Sequence, residues 1–599
     1  MCGIYLTNIT YEKSIVKDKL QTINFRGPDY MGITEIDDLI FGHLRLSILD
    51  LDKRSHQPMS YKHLTIVFNG EIYNYKDIRE ELKALGYQFK TESDTEVLLI
   101  GYYHWGKELL PKINGMFAFS IYNAETKEVF SCRDRMGVKP FYYYWDDERF
   151  EICSQIGPLL KDRKINDDSI SIFLDTGYIP APYTIAEKVY KLGAGCYMVI
   201  DLATKKLDIH KYWDLNKVQL KNISYTDAKE QLHTLLKDAV KIRLQSDVPI
   251  GSFLSGGIDS ALVSSLAQEM SESKINTFCI GFDNPKFDES HIAEEFASII
   301  DSNHNTTICA SHDILDLVPK LAKVYDEPFA DSSALPSLLL NKIAKQHVTV
   351  ALSGDGGDES FLGYTHFDSL VRNQQIMKLP YSLRKFLSKP IFLNLIGQNS
   401  HRVRNALNTK SENDFIENIF SRKGRILKKP FNGWLQHYKD YKNWSKSILQ
   451  KAADLNIKLW LDNNSNVKVD RASMAYSVEV RSPFLDYRVV EFARSLPIDF
   501  RYQKGRQKRI LRDILKEYIP EPIFDQPKSG FSVPIGEWMR NQLRTEFDEA
   551  LNEEFLSQVP NLKVKKFKKL YQEHMAGLQD NTPYIWKLFV LRKWYDEFQ

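Results

Sequence analysis

Leu254-Ser255-Gly256-Gly257-Ile258-Asp259-Ser260 joins an apolar run, Val248 to Leu254, to a helix-like run from Ala261 to Met270. A strand, a tight glycine loop and a helix start in that order make a cradle for an anion such as phosphate. Unpaired backbone N–H groups at a helix N-terminus and the helix dipole both favour negative charge, and two adjacent glycines allow the backbone to approach it closely. Ser255 and Ser260 add hydroxyl donors, and Asp259 is suited to hold a Mg²⁺ ion against the phosphate charge. No Lys follows the glycines, so this is not a Walker A loop. Alone, the spacing also fits an ordinary polar turn. A second loop decides between the two readings: Val348 to Leu352 has the character of a buried strand and runs into Ser353-Gly354-Asp355-Gly356-Gly357-Asp358-Glu359. Two such loops at strand C-termini meet at one crevice in open α/β sheets, where ligands bind. Asp259 and Asp358 are the expected metal carboxylates.

A chain of 599 residues is too long for one core; about three to four domains of roughly 150 residues, or two large ones, are expected. Apolar content of 43% and charged content of 26% are those of an ordinary globular protein. A formal net charge of +2 carries no nucleic-acid or membrane footprint. The six cysteines, Cys2, Cys132, Cys153, Cys196, Cys279 and Cys309, lack paired C-x-x-C spacing, which argues against a zinc site or a disulfide framework. A reducing, cytoplasmic compartment is expected. No apolar run approaches a membrane span and the first residues lack a signal-peptide layout.

Met1-Cys2-Gly3-Ile4 permits methionine removal, which would leave a cysteine thiol beside a free α-amino group able to act as its general base. Polar clusters follow within a hundred residues: Arg26-Gly27-Pro28-Asp29, His43 to Ile48, Asn69-Gly70-Glu71-Ile72-Tyr73-Asn74 and Ser93-Asp94-Thr95-Glu96. Each follows or interrupts a strand-like segment, among them Leu39 to Phe41, Leu64 to Phe68 and Met116 to Tyr122. A thiol attacking an amide needs donors for the developing oxyanion, which Asn69 and the Gly70 N–H could supply. A free amino acid needs an Arg for its carboxylate and an Asp for its ammonium, and Arg45 and Asp94 are available.

On these residues the first 200 or so positions resemble the N-terminal-nucleophile glutaminase domain of class II amidotransferases. The whole chain resembles the glutamine-hydrolysing asparagine synthetases of the bacterial B type. The resemblance implies a two-domain α/β and α+β protein: an αββα sandwich over 1–210, then an α/β ATP-pyrophosphatase domain over 211–599 with a parallel sheet and a helical C-terminal region. It implies Cys2 as nucleophile, Asn69 and Gly70 as oxyanion hole, and Arg45, Glu71 and Asp94 as glutamine-binding residues. ATP is implied at Leu254, Ser255, Gly256, Gly257, Asp259, Ser260, Ile280, Ser353 and Gly354, with Lys508 facing the phosphates. Because free ammonia would be protonated in water, an enclosed route between the domains is implied too.

The boundary is placed in the polar stretch from about Asp201 to Asn222, as a strand end and short linker. Ser224 to Gln245 then reads as an amphipathic helix with Ala228, Leu232, Leu235, Leu236, Ala239 and Ile242 on one face. Thr277 to Phe282 and Thr306 to Ile308, separated by the helix-like Ser290 to Ile300, continue the alternation of a parallel sheet. Arg402, Arg404, Arg422, Lys423, Arg425, Lys428 and Lys429 read as solvated helix faces, because acidic residues interleave; Lys563 to Lys569 read likewise, and Trp586 and Trp594 as core. Val469 to Met474 and Glu479 to Asp486 also match the family's pattern.

Two departures stand out. Asp355 occupies a position where some members carry Glu, one methylene longer, which bears on whether Asp355 is a general base. No Arg occurs between Asp326 and Pro336, where some members have one near the acceptor, so Arg471, Arg481 and Lys508 become candidates for the acceptor's carboxylate clamp. The expected activity is amidation of L-aspartate by glutamine with ATP and Mg²⁺, through an acyl-adenylate with release of AMP and pyrophosphate. The partners are small molecules, without nucleic acid or membrane, and a homodimer is one assembly open to the chain. The same chemistry on another carboxylate, such as a sugar uronic acid, is the alternative. A silent regulatory or scaffold protein is the rival from another class, against which intact Cys2, Asp94, Asp259 and Asp358 argue.

Overall fold

The computed structural model describes residues 2–283, 288–389, 391–392, 400–421, 425–429, 431, 433–443, 445–526 and 533–599. Period-2 alternation builds its first unit. The strands are β1 (Gly3–Thr7), β2 (Tyr30–Ile36), β3 (Leu39–Arg45), β4 (Met59–Tyr61), β5 (Leu64–Ile72), β6 (Gly115–Asn123), β7 (Glu128–Arg133), β8 (Tyr142–Trp145), β9 (Phe150–Cys153), β10 (Val189–Lys191), β11 (Cys196–Asp201) and β12 (Lys206–Lys211). They form two six-stranded antiparallel sheets, ordered β10-β8-β9-β1-β3-β2 and β12-β11-β7-β6-β5-β4. Along β1, Ile4 and Leu6 enter the layer between the sheets with Val67 of β5, while Tyr5 faces the outer helical layer. Along β5, Ile66 and Phe68 turn outward to pack with Val97 and Leu98 of the helix Asp94–Trp105. The result is the αββα sandwich expected.

The polar stretch read as a strand end and linker contains a whole strand, β12. It is the outer strand of its sheet and is largely exposed, so its polar composition is that of a solvated edge and carries no apolar alternation.

The second unit is a parallel sheet with helices on both faces. Its elements are α1 (Tyr225–Arg243), β13 (Ile250–Phe253), α2 (Ile258–Glu269), β14 (Asn276–Phe282), α3 (Ser290–Ile299), β15 (Asn303–Cys309), α4 (Ala334–Ala344), β16 (Val350–Leu352), α5 (Asn466–Met474) and β17 (Glu479–Arg481). Ser224 caps α1 by accepting the Asp227 N–H at 3.1 Å, and Ala228, Leu232, Leu236 and Ala239 form its buried face. Strand order β15-β14-β13-β16-β17 reverses direction between β13 and β16. The loops that follow those two strands therefore flank the crevice. Trp586 and Trp594 are buried in the last helix. Arg404, Arg425, Lys428 and Lys429 are exposed, as are Lys565, Lys566, Lys568 and Lys569; Arg422 and Lys423 lie outside the described residues.

Buried charge joins the units. Ahead of α5, the π-helical stretch Asn456–Ser465 presents polar side chains that are buried because the first unit satisfies them. Asp462 pairs with Arg133 at 3.0 Å, and Asn463 Oδ1 accepts the Ala181 N–H at 2.8 Å. Asp470 takes Arg26 bidentately at 2.8 and 3.1 Å, Arg471 at 3.0 Å and Lys139 at 3.8 Å. Asp326 faces Arg471 at 3.5 Å, and Lys191 meets Glu327 at 2.5 Å. Removing one partner of such a set leaves uncompensated buried charge, which costs about 3–5 kcal/mol. Asp470→Ala should therefore lower the calorimetric melting temperature by several degrees, and more than Asp37→Ala, whose pair with Lys127 is half exposed.

Two candidate active sites

The first site is built where β1 begins. The Cys2 N–H donates to Asn69 Oδ1 at 2.9 Å, which sets the thiol beside the fully buried Asn69. Asn69 Nδ2 has no hydrogen-bond partner among the described residues, and an orphaned buried donor next to a nucleophile is the arrangement an oxyanion would complete. Gly70 follows on the same strand, where a Cβ would lie 2.1 Å from the Met116 carbonyl oxygen of β6; no side chain fits. Burial pushes the Cys2 thiol's pKa up, while the Leu46 backbone N–H and the Arg45 charge oppose it.

Arg45, Gly70, Glu71, Asp94 and Cys2 line one cavity, so the expected glutamine-binding residues are brought together. Arg45 donates to the carbonyls of Asp52, Leu49 and Asp50 at 2.9, 3.3 and 2.5 Å, holding the cavity's rim. Asp94 starts the helix Asp94–Trp105 and accepts the Ile72 N–H at 2.9 Å. Burial raises its pKa to about 6, and burial likewise raises that of Glu71 from its ordinary value against the pull of Arg481.

Glu479 of the second unit also lines this cavity. The motif from Glu479 to Asp486 does not show this on its own, since nothing local marks that its first residue turns toward the other unit. Arg481, fully buried, pairs with Glu479 at 2.7 Å and Glu71 at 3.2 Å and donates to the carbonyls of Arg243 and Gln245 at 2.8 and 2.6 Å. Its fork is used up on these four partners. Arg471 is likewise buried and committed to Asp470, Asp326 and the Tyr142 hydroxyl. Neither is available to clamp an acceptor, which corrects that expectation.

The second site is a cavity of about 360 Å³ lined by both glycine loops, with Leu254 and Ile280 on its wall. Ser255 Oγ and Ser260 Oγ lie 2.9 Å apart and the Gly257 N–H reaches Ser255 Oγ at 3.3 Å, closing the first loop on itself. The second loop packs directly against it: a Cβ on Gly354 would lie 2.7 Å from the Ser260 nitrogen, and one on Gly357 2.5 Å from the Asp259 carboxyl carbon. Lys508, at φ 53° ahead of the helix Arg509–Leu515, places Nζ 2.5 Å from Asp259 Oδ2 and 2.6 Å from Asp358 Oδ1. Burial works against its charge, but the two carboxylates outweigh it and raise its pKa. Two carboxylates thus converge on one cation position. Mg²⁺ fits that donor set, since it takes one or two carboxylates and completes its shell with phosphate oxygens and water.

Asp355 Oδ2 accepts from Ser353 Oγ at 2.8 Å. It borders both this cavity and a smaller one lined by Lys139 and Asp470, so it stands between this cavity and the domain interface. The two sites share β17: Glu479 faces the thiol cavity and Val480 the loop cavity, because successive strand residues point to opposite faces.

Residues 231–596 match the family model for asparagine synthase and residues 1–213 that for a glutamine amidotransferase domain. The chain is 32% identical to asparagine synthetase [glutamine-hydrolyzing] 1 of Bacillus subtilis, covering 99% of this chain and 96% of the relative. It is 36% identical to a putative asparagine synthetase [glutamine-hydrolyzing] 2 of Methanocaldococcus jannaschii, covering 79% and 98%. At 25% identity it also resembles the amidase chyE of Penicillium rubens, covering 90% and 87%.

A Cβ on Gly363 would lie 2.0 Å from Lys508 Cε and 2.1 Å from Asp358 Oδ1. Gly363→Ala should therefore displace the lysine and weaken ATP binding by roughly tenfold or more, read by titration calorimetry. Alkylation of Cys2 by iodoacetamide should proceed at the wild-type rate.

Proposed function

The chain belongs to the asparagine synthase family of carbon–nitrogen ligases and carries a glutamine amidotransferase domain, and from that premise we propose that it moves the amide nitrogen of glutamine onto the side-chain carboxylate of L-aspartate. The units 1–210 and 211–599 take one half-reaction each. The observation that carries the reading is the pairing, across one three-residue strand, of a thiol cavity with a two-loop cavity.

In the first cavity the Cys2 sulfur attacks the side-chain amide carbon of glutamine. Asn69 Nδ2 and the Gly70 N–H hold the oxyanion, the C–N bond breaks, and the thiol's proton leaves with the nitrogen as ammonia. Water then hydrolyses the thioester to glutamate. Arg45 orients the substrate's carboxylate; Asp94, with Glu71 beside it, orients the ammonium.

In the second cavity a carboxylate oxygen of the acceptor attacks the α-phosphorus of ATP, and the bond to the β-phosphate's bridging oxygen breaks to release pyrophosphate. Leu254 and Ile280 flank the adenine, and Ser255, Gly256, Gly257, Ser260, Ser353 and Gly354 surround the phosphates. Asp259 and Asp358 would hold Mg²⁺, which when bound offsets the phosphate charge. Lys508 neutralises charge on the same oxygens. Ammonia then attacks the acyl carbon, AMP leaves, and Asp355, which borders the smaller cavity toward the domain interface, takes the surplus proton. The position of Asp355 beside the smaller cavity supports an enclosed route.

A second reading keeps the chemistry and changes the acceptor. It is favoured by the absence of Arg from Asp326 to Pro336 and by the resemblance to a relative named as an amidase.

Cys2→Ala should abolish glutamine-dependent synthesis and spare synthesis from ammonium salts; loss of both in a folded variant would sink the two-site reading. Asp259→Asn and Asp358→Asn should each remove pyrophosphate release with either nitrogen source while glutaminase survives. In mass-spectrometric product analysis across aspartate, glutamate and uronic acids, aspartate should give asparagine, AMP and pyrophosphate in equal amounts; ADP would overturn the mechanism, and AMP with a uronic acid but none with aspartate would overturn the substrate. With Asp94 titrating at about 6, the carboxylate that holds the substrate ammonium is lost as pH falls through that value. The kcat/KM for glutamine should drop below it.

A further inference from the structure

The acceptor needs a cation that the Asp326 to Pro336 segment does not supply, and Arg471 and Arg481 are committed elsewhere. Among the described residues, three cations line the loop cavity: Lys468, Lys508 and Arg512. Lys508 is locked between Asp259 and Asp358. Arg512 is held by Asp525 at 2.7 Å and the Gln507 carbonyl at 2.9 Å. Lys468, half-buried in the first turn of α5, has no carboxylate partner among the described residues, whereas the other two do.

A second observation points to the same wall. Asn341 of α4, which packs on α5, also lines the cavity. It is 3% exposed. Its Nδ2 donates to the Ser337 carbonyl at 2.8 Å, and its Oδ1 is buried without a partner. A buried acceptor left open on a cavity wall lacks a donor, and a cation left open there lacks an anion.

We propose that Lys468 and Asn341 form the subsite that selects the acceptor: Lys468 Nζ holds the carboxylate that does not react, and Asn341 Oδ1 accepts from the acceptor's ammonium. The subsite takes an amino dicarboxylic acid. A uronic acid has one carboxylate, which the reaction consumes, and would leave Lys468 without an anion. The inference rests on the amidation reading above and specifies its substrate class.

The test uses the full chain with ATP, Mg²⁺ and ammonium, reading pyrophosphate release. Lys468→Met should raise the KM for aspartate by roughly ten- to a hundredfold, the loss expected for a charged hydrogen bond. The KM for ATP should stay within about twofold of the wild-type value, as that scale allows. Glutaminase activity should be unchanged, which also reports that the variant is folded. Lys468→Arg should recover part of the aspartate affinity, and Asn341→Leu should raise the aspartate KM without moving that for ATP. A shift in the ATP KM instead would make Lys468 a phosphate contact and overturn the assignment, as would an unchanged aspartate KM. If the wild-type enzyme itself forms no AMP with aspartate, the amidation reading falls together with the subsite. Wild-type turnover with an insensitive variant removes the subsite alone.

Discussion

Asp470 accepts Arg26 at 2.8 Å and Arg471 at 3.0 Å in surroundings that exclude almost all water. A carboxylate and two guanidinium groups taken out of water cost several kcal/mol each in lost hydration, and only close mutual geometry offsets it. That constraint organises the joint between the units. Arg26 comes from the turn before β2, Lys139 from the segment after β7, and Asp470 from α5 of the other unit. Any slippage between the sandwich and the parallel sheet would separate charges in a medium that screens them poorly. Asp462 with Arg133 and Glu327 with Lys191 repeat the same condition along the interface. Apolar contact alone would tolerate several dockings, whereas ion pairs with fixed forks select one.

The same rule governs both cavities. Arg481 is satisfied by Glu479, Glu71 and two carbonyls, so its charge sets the position of Glu71 in the first cavity from within the second unit. Lys508 is satisfied by Asp259 and Asp358, and it draws together two loops separated by about a hundred residues of chain. Among the buried side-chain atoms left without a partner are Asn69 Nδ2, on the residue whose Oδ1 accepts the Cys2 N–H, and Asn341 Oδ1, on a residue that lines the loop cavity with Lys468. At a nucleophile or in a cavity lining, such an atom is one whose bonding a ligand can complete.

Much of this was legible in the chain itself. The cradle loop, the second loop and the apolar faces of α1 and α2 depend on local spacing, and local spacing is what a sequence displays directly. The thiol cavity's own-unit residues were legible for the same reason, since Asn69, Gly70, Glu71 and Asp94 fall within 26 positions. Glu479 was not, because it lines a cavity of the other unit across a docking that no local pattern encodes, and Lys468 was not, because it reaches the loop cavity from a helix far along the chain from both loops. Arg481 misleads for a related reason: an Arg in a motif near a catalytic loop looks like a substrate clamp until Glu71, Arg243 and Gln245, all more than two hundred residues away, are in place beside it. The β12 edge strand escaped because a solvated strand has no apolar alternation to show.

The three residues of β17 separate the two chemistries by nothing more than the alternation of a strand. Point changes can therefore tune one site at a time: a substitution at Val480 alters the wall on the nucleotide side, and one at Glu479 the wall on the thiol side. Insertion or deletion of a single residue has no such freedom, because a one-residue slip turns every side chain to the other face. It would carry a carboxylate into the loop cavity and an isopropyl group into the thiol cavity at once. Along this strand the chain is open to drift in identity and closed to drift in length.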